Sequence, residues 1–225
     1  FYKPGMVVNW CMKNSILSIL IVLLPLLSIG QSSDLFAIWP DTIIAKANSA
    51  QDVEYMTEEE KLAVFYINLV RTNPPLFANT YLKDYMKENG IKKDKEVKSL
   101  IDELEATKPR VMLQPSESLT QLAREHANDM GETGRTGHKS SDGTSFKDRM
   151  VELSKTFSGI NENCNYGNEG GIDAAIDLLI DRNVPNVGHR RNILDPQMRF
   201  AGIAIEPHKR WRFNCVQDFG GKKLD

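Results

Sequence analysis

The chain has 225 residues, 41% of them hydrophobic and 26% charged, with a formal net charge of −2. That length builds one domain with a sizeable core. The near-neutral balance, with no long basic run, excludes a nucleic-acid footprint.

At the start, Met12-Lys13-Asn14 precedes an apolar run from Ile16 to Ile29, followed by Gly30-Gln31-Ser32-Ser33. A charged start, a short apolar stretch and small residues at Ser28 and Gly30 read as a secretory signal cleaved near Gly30. The run is interrupted by Pro25 and falls short of the ~20 residues a membrane span needs; a retained N-terminal anchor is the alternative. Residues 1–11 read poorly as the head of a signal, so translation is expected to start at Met12. The expected organisation is residues 1–30 as upstream residues plus signal, 31–56 as an extended lead-in without periodicity, and 57–225 as a single domain. Once the signal is removed, nothing predicts stable membrane insertion.

Thr57-Glu58-Glu59-Glu60 is a capping box, and Leu62, Phe65, Tyr66, Leu69 and Val70 follow at helical spacing. Asn73-Pro74-Pro75 must stop that helix. A second helical stretch is expected over Leu76–Glu88, ending at Asn89-Gly90. The segment Lys92–Lys108 reads as a surface helix with one apolar stripe; its cluster Lys92, Lys93 and Lys95 is a solvated face. The strongest helix is Ser116–Met130, with Leu119, Leu122, Ala123, His126, Ala127 and Met130 on one face. Ser145-Phe146-Lys147-Asp148 caps a short helix, and Ile172–Asp181 is an apolar one. The end is strand-rich: Phe200–Ile205, a turn at Glu206-Pro207-His208-Lys209, then Trp211–Phe219, with a third strand around Glu162. Helices first and strands late point to α+β layering around one sheet.

Chemistry concentrates in four residues at element boundaries: His138, Glu162, Asp181 and His189. Two imidazoles and two carboxylates from separate segments can bind a metal ion or move protons. The other candidates have plainer readings. His126 lies on an apolar helix face and is expected in the core with one hydrogen bond, and His208 is expected exposed and inert in its turn. Asp142 forms an Asx turn, Arg149 pairs with a carboxylate, and Glu162 could be an ion-pair partner of Arg190 or Arg191. The segment Asn192-Ile193-Leu194-Asp195-Pro196 is a helix turn stopped by proline. Without Cys11, the cysteines Cys164 and Cys215 form an even pair. In an oxidising compartment such a pair is expected to bond; two free buried thiols are the alternative.

These segments, taken in order, carry a resemblance. The helix L-x-x-x-A-x-x-H-A-x-x-M is followed by G-H-x-x-x-D-G, E-N-x-x-Y-G, an apolar helix, G-H-R-x-N-I-L, G-I-A-I and V-Q-D-F-G. The set resembles the CAP superfamily (cysteine-rich secretory, antigen-five and pathogenesis-related proteins), in its bacterial-type SCP-like extracellular branch, over about residues 57–220. The resemblance implies an α-β-α sandwich with a central, mainly antiparallel sheet and a shallow cleft holding a His-Glu-Glu-His tetrad. His138, Glu162 and His189 match three of its members. The second acid normally closes a Trp-x-x-Glu segment; here Leu178-Leu179-Ile180-Asp181 stands in its place, without the Trp and one methylene shorter. Asn161 replaces the Gly usual before the Glu-Asn pair.

The resemblance implies a secreted module, extracellular or periplasmic, binding a lipid, glycan or protein. A metal, Zn2+ or another divalent ion, would sit on His138 and His189. The alternative is a hydrolase of peptide or cell-wall bonds, with the tetrad as its catalytic residues. Against that alternative, the chain carries no G-x-S-x-G and no H-E-x-x-H motif.

Overall fold

The computed structural model describes residues 38–224; the signal segment, the start at Met12 and Cys11 lie outside them. Nine α-helices, one short 3-10 helix (Leu153–Lys155) and four strands are named among the described residues. Helices α1 (Asp41–Ala47), α2 (Glu58–Thr72), α3 (Pro74–Asn79), α4 (Tyr81–Glu88) and α5 (Lys95–Ala106) come first. They are followed by β1 (Gln114–Pro115), α6 (Glu117–Thr133), α7 (Phe146–Arg149), β2 (Ile160–Tyr166), α8 (Gly171–Ile180), α9 (Gly188–Leu194), β3 (Phe200–His208) and β4 (Arg212–Gly220).

The strands form one sheet in the order β1-β3-β4-β2. β3 pairs antiparallel with β4 and β4 with β2, while β1 adds parallel to the first residues of β3. This is the expected mainly antiparallel sheet with helices on both faces. Alternation along the strands assigns the faces. Ala201 and Ile203 of β3 and Cys215 and Phe219 of β4 join the large core with Val64 and Ile67 of α2 and Leu179 of α8. Ala204 and Val216 point the other way, onto Ala123 and Ala127 of α6. Helix α6 rests on the backbone of β3: a Cβ on Gly202 would lie 2.1 Å from Leu119 C and Thr120 N.

The capping box forms as expected, with Thr57 accepting from Glu60 N–H and the Glu60 carboxylate accepting from Thr57 N–H at 2.8 Å. Four features differ from the sequence reading. The lead-in holds a helix, α1, and Trp39 just before it is buried; seven residues are too few for a 3.6-residue repeat to declare itself. The stretch 76–88 is two helices. Pro74 starts α3 rather than only stopping α2, and Thr80 breaks the run, its hydroxyl donating to Leu76 O at 2.6 Å. β3 runs through Pro207, which pairs with Phe213. Because β1 covers only Phe200 and Ala201, Pro207 lies on an open edge, where a missing N–H is tolerated. Finally, His208 is buried, not exposed. Its Nδ1 accepts from Arg210 and Trp211 N–H at 3.1 and 3.2 Å, and its Nε2 donates to Arg135 O at 2.8 Å. The imidazole thus organises the hairpin turn.

Two arginines are fully buried and serve main-chain carbonyls. Arg71 of α2 donates to Val111 O, Ile193 O, Asp195 O and Met198 O at 2.6–3.0 Å. Arg190 of α9 donates to Leu179 O and Ile180 O at the end of α8, and to Glu103. Together they fasten the α8–α9 corner to the helices around it.

Candidate functional site

The four singled-out residues assemble as two His–carboxylate pairs at the β2 edge of the sheet. The first pair is built where α6 ends. Gly134 takes the left-handed conformation (φ 70°) as C-cap, and the chain turns again through Gly137 (φ 102°). That second turn is pinned on both sides: His126 Nε2 donates to Gly137 O at 2.9 Å, and Gly137 N–H donates to Tyr166 Oη at 2.7 Å. His126 is buried and burial lowers its basicity, so it is a core histidine as expected. His138 follows, with Nδ1 2.8 Å from Glu162 Oε1. Glu162 is buried, and Arg149 of α7 donates to both its oxygens at 3.0 and 2.8 Å and to His138 O at 3.0 Å. The partner of Glu162 is therefore Arg149, not Arg190 or Arg191. Arg190 is committed to the α8 carbonyls.

The second pair is built at the α8–α9 corner. Asp181 is the left-handed C-cap of α8 (φ 58°). Its Oδ2 accepts from His189 and Arg190 N–H at 3.0 and 3.3 Å, serving the first turn of α9, and its Oδ1 lies 2.7 Å from His189 Nδ1. The shorter side chain reaches the imidazole directly because the helix end delivers the Asp181 backbone to the start of α9. Val187 just before α9 is also left-handed (φ 45°), an unusual conformation for a β-branched residue.

Cys164 links the pairs. Its Sγ is 3.6 Å from His138 Nδ1, and with Asp181, His189, Tyr166 and Trp211 it lines a cavity of about 270 Å³. His126, Glu162 and Cys164 also bring donor atoms within 4.8 Å of one another. Both Glu162 oxygens are already held there, and burial pushes the Cys164 thiol up.

The disulfide expectation is overturned: both cysteines are free. Register explains why. Cys164 stands opposite Val216, and Cys215 opposite Asn165, so the two side chains leave the sheet on opposite faces. Cys164 faces α6, while Cys215 lies in the large core.

One titratable residue was missed from sequence. Asp218 stands opposite Glu162 across β2 and β4 and is fully buried, its carboxyl set against the Glu162 carboxylate. Burial raises its affinity for a proton well above the ordinary range, and the facing Glu162 charge adds to this against an opposing effect of Arg149. The available signal was an acid inside the strand run V-Q-D-F. A carboxyl whose folded pKa exceeds its unfolded one favours folding below the unfolded pKa, and that contribution is lost as pH rises toward the folded one. Asp218→Asn, a neutral mimic, is therefore expected to raise Tm by several degrees at pH 7. The gain should vanish near pH 3, as thermal melts across pH would read out.

Residues 64–219 match the profile of the cysteine-rich secretory protein family, CAP. No curated protein sequence matches the chain. Among solved structures, an extracellular SCP-domain protein of Bacillus anthracis aligns at 21% identity and TM-score 0.42, over 54% of this chain and 37% of that one. The chain thus spans little more than a third of that protein. An outer surface protein of Borrelia burgdorferi aligns at 20% identity and TM-score 0.42, over 59% of this chain and 97% of that one. Venom allergen-like protein 4 of Schistosoma mansoni aligns at 13% and 0.43, over 76% and 92%.

Proposed function

The chain belongs to the cysteine-rich secretory protein (CAP) family, and from that premise we infer an extracellular ligand-binding module whose working surface is the β2 edge. Among the described residues, no helix is long and apolar enough to cross a membrane. The observation that carries the reading is that both imidazoles are held through Nδ1 by buried carboxylates. A carboxylate on Nδ1 fixes ring orientation and tautomer and leaves Nε2 as the basic nitrogen. Neither Nε2 has a protein partner among the described residues, and the His138 side chain is half exposed.

A divalent cation is the occupant proposed for that donor set. His138 and His189 would hold Zn2+, and the remaining positions would be left to water or to an oxygen of the ligand. A bound ion would supply a positive anchor for that oxygen. Two protein ligands imply modest affinity, since structural zinc sites use four.

The hydrolase reading has less support. Arg149 and His138 occupy Glu162. Cys164 lies beside His138, but the ring nitrogen nearest the thiol is the one already bonded to Glu162, so it is not available as the thiol's base.

Titration calorimetry of the full chain is expected to give one zinc equivalent. In the His138→Ala/His189→Ala double variant affinity should fall at least ~30-fold with circular dichroism unchanged, in line with loss of both ligands. A folded wild type that takes no zinc would remove the metal from this reading. Turnover of a peptide library that vanishes in Glu162→Gln would favour the hydrolase instead.

A further inference from the structure

The cavity that holds Asp181 and His189 adjoins a second, of about 330 Å³, and the two share Tyr166, Asp177, Arg182 and Trp211. The second continues past Asn168 and Asp173 to Tyr85. Together they form one trough leading away from the His–carboxylate pairs. Trp211 belongs to the β3–β4 turn and is 52% exposed, an unusual placement for an indole. The turn beneath it is held by the His208 imidazole, which accepts the Trp211 N–H. The same lining carries pre-arranged polar groups beside the apolar Ile176, Ile180 and Leu178. Asp177 Oδ2 accepts from Asn165 at 2.6 Å and from Asn168 at 3.4 Å, and Asn168 also donates to Asn165 Oδ1 at 2.9 Å. Only one Asp177 oxygen is used in this network. Tyr85 donates to Asp173 Oδ1 at 2.5 Å.

We propose that this trough binds a neutral oligosaccharide, with Trp211 as the stacking platform and Asp177 and Asn168 accepting and donating to the sugar hydroxyls; the assignment deepens, and rests on, the ligand-binding reading above. Sugars present an apolar C–H face beside groups that both donate and accept. An exposed indole lining the same trough as a carboxylate and a carboxamide offers the complement of both. The alternatives fit less well. A lipid chain would bury the Asp173 and Asp177 carboxylates, whose desolvation is costly. A polyanion would meet Asp173, Asp177 and Asp181. An extended peptide seeking the free edge of β2 would find the Glu162 carbonyl already taken by the Asn192 amide. Arg182 is turned to Asp94, so it supplies no free positive charge for an acidic ligand.

Trp39 is 2% exposed, so of the two described tryptophans only Trp211 is open to a soluble quencher, and the Trp211→Ala protein gives the background from Trp10 and Trp39. The test is acrylamide quenching and calorimetry of the full chain with chitotetraose, cellotetraose and mannotetraose, and with a heparin tetrasaccharide and palmitate as counter-probes. At least one neutral tetrasaccharide should protect the fluorescence. Trp211→Ala should weaken that binding at least tenfold, Asp177→Asn several-fold, and Trp211→Tyr little. If no neutral sugar binds, if binding is indifferent to Trp211→Ala in a protein with unchanged circular dichroism, or if only heparin or palmitate binds, the proposal falls. Zinc binding in the same samples separates the two readings. Zinc without sugar overturns the trough assignment alone, and sugar without zinc overturns the metal alone.

Discussion

Gly202→Ala is expected to destabilise the domain by at least ~3 kcal/mol, the upper end of overpacking effects, and to lower Tm by roughly 6–12 °C at the 2–4 °C per kcal/mol of a domain this size. The new methyl would lie 2.1 Å from Leu119 C and Thr120 N. Those are backbone atoms of α6, which no side-chain rotamer can move aside. Relief requires lifting α6 from β3, and α6 carries Ala123, Ala127 and His126 against the same sheet face. Gly159→Ala is the control: its methyl would meet only the tip of Met198 at 3.7 Å, and a change within ~0.5 kcal/mol is expected, as for substitutions that touch no such feature. Equal losses in the two variants, measured by urea denaturation, would contradict the close approach of α6 and β3.

Arg71→Met should be at least as severe, at about 4 kcal/mol or more, because unsatisfied buried polar groups cost ~1–3 kcal/mol each. Methionine keeps much of the stem's volume but leaves the carbonyls of Val111, Ile193, Asp195 and Met198 without their donor. Lysine should rescue little, since one ammonium cannot reproduce a planar fork. A urea midpoint for Arg71→Lys close to wild type would mean that charge alone, not the fork, holds these carbonyls. Because Ile193 and Asp195 lie in and just beyond α9, the loss should loosen the helix that carries His189.

Much of this architecture was legible in the sequence because it rests on local rules. The Thr57–Glu60 box, the apolar face of α6 and the strand-rich end are set by capping and periodicity. His138, Glu162, Asp181 and His189 stood out as titratable residues at element ends. What could not be read depends on non-local registry. Cys164 and Cys215 look like a pair until the β2–β4 register, offset by one residue, sends them to opposite faces. Arg149 as the partner of Glu162, and Asp218 beneath it, follow from which residues meet across strands or loops. His208 looked like a turn residue because Pro207 looked like the turn. Once β3 runs on past the proline, the histidine falls on the inside of the hairpin.

Asp181 ends α8, serves the first amides of α9 and holds the His189 ring with one carboxylate. Backbone and chemistry therefore share an atom group. The amide protons of His189 and Arg190 become built-in spectroscopic probes of the site. Whatever draws the carboxylate toward or away from the imidazole must shift their resonances and change how fast they exchange with solvent. Occupancy of the cleft could then be followed from the main chain alone, with no label on the ligand.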